Sequence, residues 1–202
     1  VVDAVGTKTR ETQVVRSART RTALLSAARQ LFAEKGFAET GRDEIAERAG
    51  VTRGALYHHF TSKTAVAAGV VDQLEEELVA RVVVAAREGS GVRDQLRRGC
   101  LAYMEACADP SVARILADAP AVLGVAACRD LDASSCVPLL EEVLRLAEAE
   151  GIDVPGDPSI TASLMLGLLN EAALLIAASP EDGALQRRVS FSVEAFLDKL
   201  FA

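Results

Sequence analysis

Three consecutive residues, Thr52, Arg53 and Gly54, place a helix-capping hydroxyl, a planar guanidinium and a bare backbone side by side. They head a short helical pattern, 53–59, whose apolar side is Ala55, Leu56 and, just beyond, Phe60. At ~1.5 Å per residue this helix is about 10 Å long. That is too short to serve as core and suits a DNA groove. The fork of Arg53 matches the O6 and N7 of guanine, and Gly54 and Ala55 let the backbone approach closely. Tyr57 and His58 lie one turn on. The two histidines of the chain, His58 and His59, are adjacent and point ~100° apart on a helix, so they do not form a metal pair.

The elements that must hold these residues are legible on either side. Ile45, Ala46 and Ala49 form an earlier helical pattern, closed by Gly50, Val51 and Thr52. Gly50 suits the left-handed backbone that ends a helix, Val51 fills the angle, and Thr52 caps the next helix. Helix, tight turn and helix make a helix-turn-helix. Before it, residues 19–35 are amphipathic, with Leu24, Ala28, Leu31 and Phe32 on one face, and Gly36 with Phe37 ends that helix. After it, Ser62 is expected to cap a long helix opening at Lys63. Leu24, Leu31, Phe32, Ile45, Ala49, Leu56 and Phe60 are the expected core of this three-helix unit.

Residues 19–63 resemble the N-terminal DNA-binding domain of the TetR family of bacterial transcriptional regulators. The resemblance rests on ALLSAARQLFAEKGF (23–37), Thr40, IAERAGVTRGALYHHF (45–60) and SK (62–63). It implies that Tyr57 and Lys63 grip phosphates, that Thr40 does so from the neighbouring helix start, and that His58 touches phosphate or base. The family usually has Ser or Thr where this chain has Gly41, and often an apolar residue where it has Arg42. Glycine is an acceptable cap. Arg42 either adds a cation at the DNA-facing edge or is simply solvated. The DNA-binding set is therefore Thr40, Arg42, Thr52, Arg53, Gly54, Ala55, Tyr57, His58 and Lys63.

The net charge of −7 taken alone argues against nucleic acid, but its distribution reverses that. Residues 1–63 hold 11 Lys/Arg against 7 Asp/Glu, and the remainder holds 11 against 22. The basic end can meet phosphate while the acidic end repels it, which helps to orient the molecule. Residues 1–18 are polar, include Lys8, Arg10 and Arg16, show no signal-peptide pattern, and read as a flexible basic arm. Cys100, Cys107, Cys128 and Cys136 show no metal-ligand spacing and read as buried free thiols of a reducing cytoplasm, with a redox sensor as the alternative. No metal and no cofactor is expected.

From Lys63 onward every strong pattern is helical, with helices expected near 63–87, 92–107, 110–118, 120–130, 134–150, 158–178 and 183–201. The expected fold is all-α: a flexible arm (1–18), a helix-turn-helix domain (19–63) and a helical effector-binding and dimerisation domain (64–202). The stretch ITASLMLGLLNEAALLIAA (160–178) is apolar nearly all round, but Asn170 and Glu171 at its middle favour a core or interface helix over a membrane span.

The family resemblance further implies a homodimer formed by the last two helices, and the apolar excess there agrees. Leu164, Leu168, Leu175, Val189, Val193, Phe196 and Leu200 are the expected interface. It also implies a pocket for a small effector, for which Cys100, Tyr103, Met104, Cys107, Leu116, Leu123, Asn170 and Glu171 are candidate lining, suited to a mainly hydrophobic or weakly basic molecule. Asn170 and Glu171 could instead face the dimer partner. The expected function is a cytoplasmic, nucleoid-associated regulator that represses from a palindromic double-stranded DNA operator. No catalytic constellation is visible, so an all-helical enzyme is disfavoured, as is an interaction protein that kept the fold without binding DNA.

Overall fold

The computed structural model describes residues 3–179 and 181–200, with the side chains of 3–12 left out of the description. Ten helices follow one another, and no strand occurs among the described residues. They are α1 (Asp3–Glu39), α2 (Arg42–Arg48), α3 (Arg53–His59), α4 (Lys63–Arg87), α5 (Val92–Cys107), α6 (Pro110–Leu123), α7 (Val125–Ser134), α8 (Cys136–Ala149), α9 (Pro158–Ala177) and α10 (Gly183–Leu200). They sort into two compact units, Val1–Val70 and Val71–Ala202, with the boundary inside α4.

In the first unit, Leu24, Leu25, Ala28, Leu31 and Phe32 of α1 meet Ile45 and Ala46 of α2, Leu56 of α3, and Val66 and Val70 of α4, all buried. Ala49, expected in this core, is half-buried, because the residue next to it already turns out into the loop. Gly50 takes φ +66°, and its neighbour Val51 sends its N–H back to the Ala46 carbonyl, which closes α2. Thr52 accepts from the Ala55 N–H at 3.2 Å, and Ser62 accepts from the Ala65 N–H at 3.0 Å, so α3 and α4 are both capped by hydroxyls. Gly41 supplies an extended cap without a side chain.

The arm departs from expectation. Helix α1 reaches back to Asp3 instead of starting near residue 19. No proline or glycine lies between residues 7 and 35 to stop it, so an already nucleated helix propagates outward. Its exposed Val14 and Val15 are not held by packing.

The second unit is built around α9, which packs on α5, α6, α8 and α10. Asp157 caps α9 by accepting from the Ser159 and Ile160 N–H groups, with Pro158 at the first helical position. Asp109 and Pro110 open α6 in the same way. Ala162, Met165, Leu166, Leu169 and Ala173 of α9 are buried against Leu96, Cys100, Tyr103 and Met104 of α5 and Leu144 of α8. By length and composition α9 could cross a membrane, yet its inner face is the centre of this core. The expected break at Pro120 is absent: α6 runs through it to Leu123. Proline forfeits one backbone hydrogen bond there, and the helix ends at Gly124 instead, where φ is +90°.

Candidate nucleic-acid interface and cavity

Helix α3 is buried through Leu56 and exposes Thr52, Arg53, Gly54, Tyr57 and His58 on one side, with Ala55 and His59 half-buried. A Cβ on Gly54 would meet nothing closer than the Thr52 hydroxyl at 3.9 Å, so the start of α3 is open to an approaching partner. His58 and His59 stand edge to face at 5.6 Å, the first exposed and the second packed toward Phe60.

Asp43, in the first turn of α2, organises this surface. Its Oδ2 lies 3.1 Å from Arg53 Nη1, and its Oδ1 accepts from the Tyr57 hydroxyl at 3.4 Å. Arg42 stacks over the Tyr57 ring at 4.4 Å and donates to the Thr61 carbonyl at 3.2 Å. The alternative of a merely solvated Arg42 is therefore replaced by an anchored cation beside the reading helix. The Arg53–Asp43 pair is exposed, with side chains 71% and 49% accessible. A pair in that setting is worth about 0.2–1 kcal/mol, less than the about 1–3 kcal/mol of a bidentate arginine–guanine contact. Arg53 can thus leave Asp43 for a base.

Two expected phosphate contacts are used otherwise. Lys63 Nζ donates to the carbonyls of Phe37, Ala38 and Thr40 at 2.8, 3.2 and 3.0 Å and lies 4.2 Å from the Phe37 ring centre. All three ammonium donors serve carbonyls of the short turn that follows the non-helical Gly36 and leads into α2. Thr40 is 1% exposed, and its hydroxyl donates to the Gly36 carbonyl at 2.8 Å, across the bend where Gly36 takes φ +84°. Both residues set the angle at which α2 leaves α1. Sequence reasoning also missed Asp43, although an acid in the first turn of a DNA-facing helix was a visible signal.

In the second unit, Tyr103 is shared by two cavities. One, of about 240 Å³, is lined by Val82, Leu96, Cys100, Tyr103, Leu140 and Leu166 among others. The other, of about 220 Å³, is lined by Glu75, Tyr103, Cys107, Leu116, Asp132 and Asn170 among others. Tyr103 donates to Asn170 Oδ1 at 2.6 Å. Of the expected pocket residues, Cys100, Tyr103, Cys107, Leu116 and Asn170 line these cavities, while Met104 lies under a wider cleft with Arg81 and Glu194. Leu123 is half-buried and belongs to none of the three. Glu171 is exposed on the outer face of α9, one helical step from Asn170 and so turned away from the cavity.

Glu75 and Asp132 were missed. Glu75 lies on the stripe Val71, Leu74, Leu78 of α4, a carboxylate on a buried face. It is 6% exposed and accepts from Ser135 Oγ at 2.9 Å and Cys136 Sγ at 3.4 Å. Burial, and secondarily the charge of Glu75, pushes the Asp132 carboxyl up to about 6. Burial also pushes the Cys100 and Cys107 thiols up to about 12.

The expected dimer residues divide. Leu164 is 71%, Leu175 47% and Phe196 50% exposed, and Leu168 is half-buried. Val193 is buried, and Val189 and Leu200 pack on the same core. Part of the apolar stripe of α10 thus closes its own unit: Val193 is fully enclosed, while Val189 and Leu200 keep partial exposure. Ile160, Leu174 and Phe191 are exposed apolar residues that the sequence reading passed over.

Residues 24–70 match the family described as bacterial regulatory proteins, tetR family, and residues 93–200 match the tetracyclin repressor-like C-terminal domain. A TetR-family transcriptional regulator from Pectobacterium atrosepticum has a similar structure, with a TM-score of 0.80 and 34% identity over 93% of this chain and 97% of that one. The HTH-type transcriptional activator FasR of Mycolicibacterium smegmatis is 38% identical over 82 residues, 41% of this chain and 37% of that protein. The HTH-type transcriptional repressor BepR of Brucella suis is 53% identical over 47 residues, 23% of this chain and 22% of that protein. These two matches thus span well under half of either relative.

Proposed function

This chain belongs to the TetR family of bacterial transcriptional regulators, and from that premise we propose that it is a homodimeric repressor that reads a palindromic operator through α3 and leaves it when a small effector enters the second unit. It is a DNA-binding regulator, not an enzyme. The observation that carries the reading mode is the exposed start of α3, where Arg53 is held, among the described residues, by an exchangeable pair with Asp43 alone. Arg53 reads a base, and Arg42, Tyr57 and His58 meet phosphate around it. Thr52 and Gly54 bring the helix start close to the groove.

The dimer is supported by the unpartnered apolar residues Ile160, Leu164 and Leu175 of α9 and Phe191 and Phe196 of α10. Two reading helices then sit about 34–36 Å apart or a multiple of it, which requires a palindrome. An effector is supported by the cavities around Tyr103. Since α4 belongs to both units, a ligand that shifts it moves the reader. A cytoplasmic location, at the nucleoid when DNA-bound, goes with this role. The redox alternative finds little support: Cys100, Cys107 and Cys136 are buried thiols raised well above neutrality by that burial, whereas reactive cysteines are thiolates.

A gel-shift salt series tests the phosphate grip. With Arg42 and His58 of two copies on phosphate, affinity for operator DNA should fall by about 10- to 10²-fold between 50 and 200 mM salt. A flat series would overturn this reading.

A further inference from the structure

The smaller cavity of the second unit carries an unbalanced charge. Leu116, Ala119, Pro120 and Leu131 give it apolar walls, and Glu75 and Asp132 both line it. No Lys, Arg or His is among the lining residues. Glu75 is 6% exposed, and its two donors, Ser135 Oγ and Cys136 Sγ, both serve Oε2. Oε1 accepts no hydrogen bond among the described residues. A hydroxyl and a thiol are weak compensation for a buried carboxylate, which ordinarily needs an ion partner. The conflict is felt by Asp132, whose carboxyl holds its proton to about pH 6 through burial and then the charge of Glu75. The aromatic ring of Tyr103, a group that attracts cations, and Asn170, whose Oδ1 is taken by the Tyr103 hydroxyl, line the same cavity.

We propose that this cavity binds a small primary ammonium carrying an apolar body, with its N–H donors directed at Glu75 and Asp132 and its body against Leu116, Pro120 and Leu131. An anion would add to two carboxylates already crowded together. A neutral ligand leaves the buried charge unpaired. A quaternary ammonium offers no donor to Glu75 Oε1. At about 220 Å³ the cavity lies below the ~300–1,000 Å³ of drug-sized sites, so the ligand is small. That this ligand is the effector rests on the regulator reading above; the binding itself does not.

The test is calorimetric titration of the full chain at pH 7.5, without DNA, with three probes that carry different head groups on one phenylethyl body: 2-phenylethylammonium, neutral 2-phenylethanol and anionic 3-phenylpropanoate. The ammonium should bind at least tenfold more tightly than either of the others. Glu75→Gln should lose at least tenfold in ammonium affinity and change 2-phenylethanol binding less than twofold. Thermal melts establish that the variant is folded, and Asp132→Asn, expected to weaken the ammonium in the same direction, decides if it is not. Equal affinity for the three probes, no binding of the ammonium, or undiminished binding by the folded variant overturns the site. Anisotropy on a DNA sequence selected by the protein separates the two readings. An ammonium that binds without weakening DNA affinity overturns its role as effector. A protein that binds no DNA overturns the proposed function while the calorimetric result stands.

Discussion

Asp43 places a negative charge on the surface that must meet phosphate, and it is tolerated because Arg53 and Tyr57 cover it. The pair holds the Arg53 guanidinium beside the start of α3, from which, in the proposed reading, a base takes it over. Arg53→Ala should therefore relax preference at one base pair per half-site, by about 1–3 kcal/mol of discrimination, while leaving nonspecific binding nearly intact. Binding measured on an operator and its single-base variants checks this; a uniform loss across all of them would make Arg53 a phosphate contact instead. Lys63 is a different case. Its ammonium satisfies three carbonyls of the turn between Gly36 and α2, so Lys63→Ala should cost the first unit about 1.5–3 kcal/mol of stability. Chemical denaturation reads that directly, and an unchanged midpoint would contradict it. The exposed place of Arg53 at a helix start was legible in the sequence because it needs only local pattern. The carbonyl partners of Lys63 were not, because they lie 23 to 26 residues earlier in the chain, and the burial of Thr40 on the Gly36 carbonyl depends on the bend that Gly36 makes.

At the scale of elements, Thr52 and Ser62 cap as expected, and the helices expected near 110 and 158 do begin there, where Asp109 and Asp157 supply the caps. The end of α6 was not legible, since proline weakens a helix without forbidding it and a positive-φ glycine four residues later ends it. The destination of an apolar stripe was equally hidden: Val193 and Phe196 lie on neighbouring parts of α10, yet one is core and the other exposed. Glu75 shows the converse, a charged residue on a stripe whose burial only the packing of the unit reveals. The turn between α4 and α5 is the tightest constraint on element placement. A Cβ on Gly89 would come within 2.5 Å of the Gln95 backbone nitrogen. Gly89→Ala should therefore force the turn apart and destabilise the second unit by about 1–3 kcal/mol. A thermal melt matching the parent would show that the turn has room to spare.

For the whole molecule, charge is partitioned as function requires. The first 63 residues, with 11 Lys/Arg against 7 Asp/Glu, carry a basic excess, and the remainder, with 11 against 22, an acidic one. This asymmetry, with the helix-turn-helix, made the class of the protein legible, whereas the operator and the effector depend on a few side chains whose partners are not in the chain. The central claim is that two copies present α3 to two half-sites of one DNA. Selection of bound sequences from random double-stranded DNA by the purified full chain tests it most directly. A palindromic winner with half-sites one helical turn or a multiple apart, lost on Arg53→Ala, is the predicted result. Enrichment of no sequence, or of a site without two-fold symmetry, would contradict it.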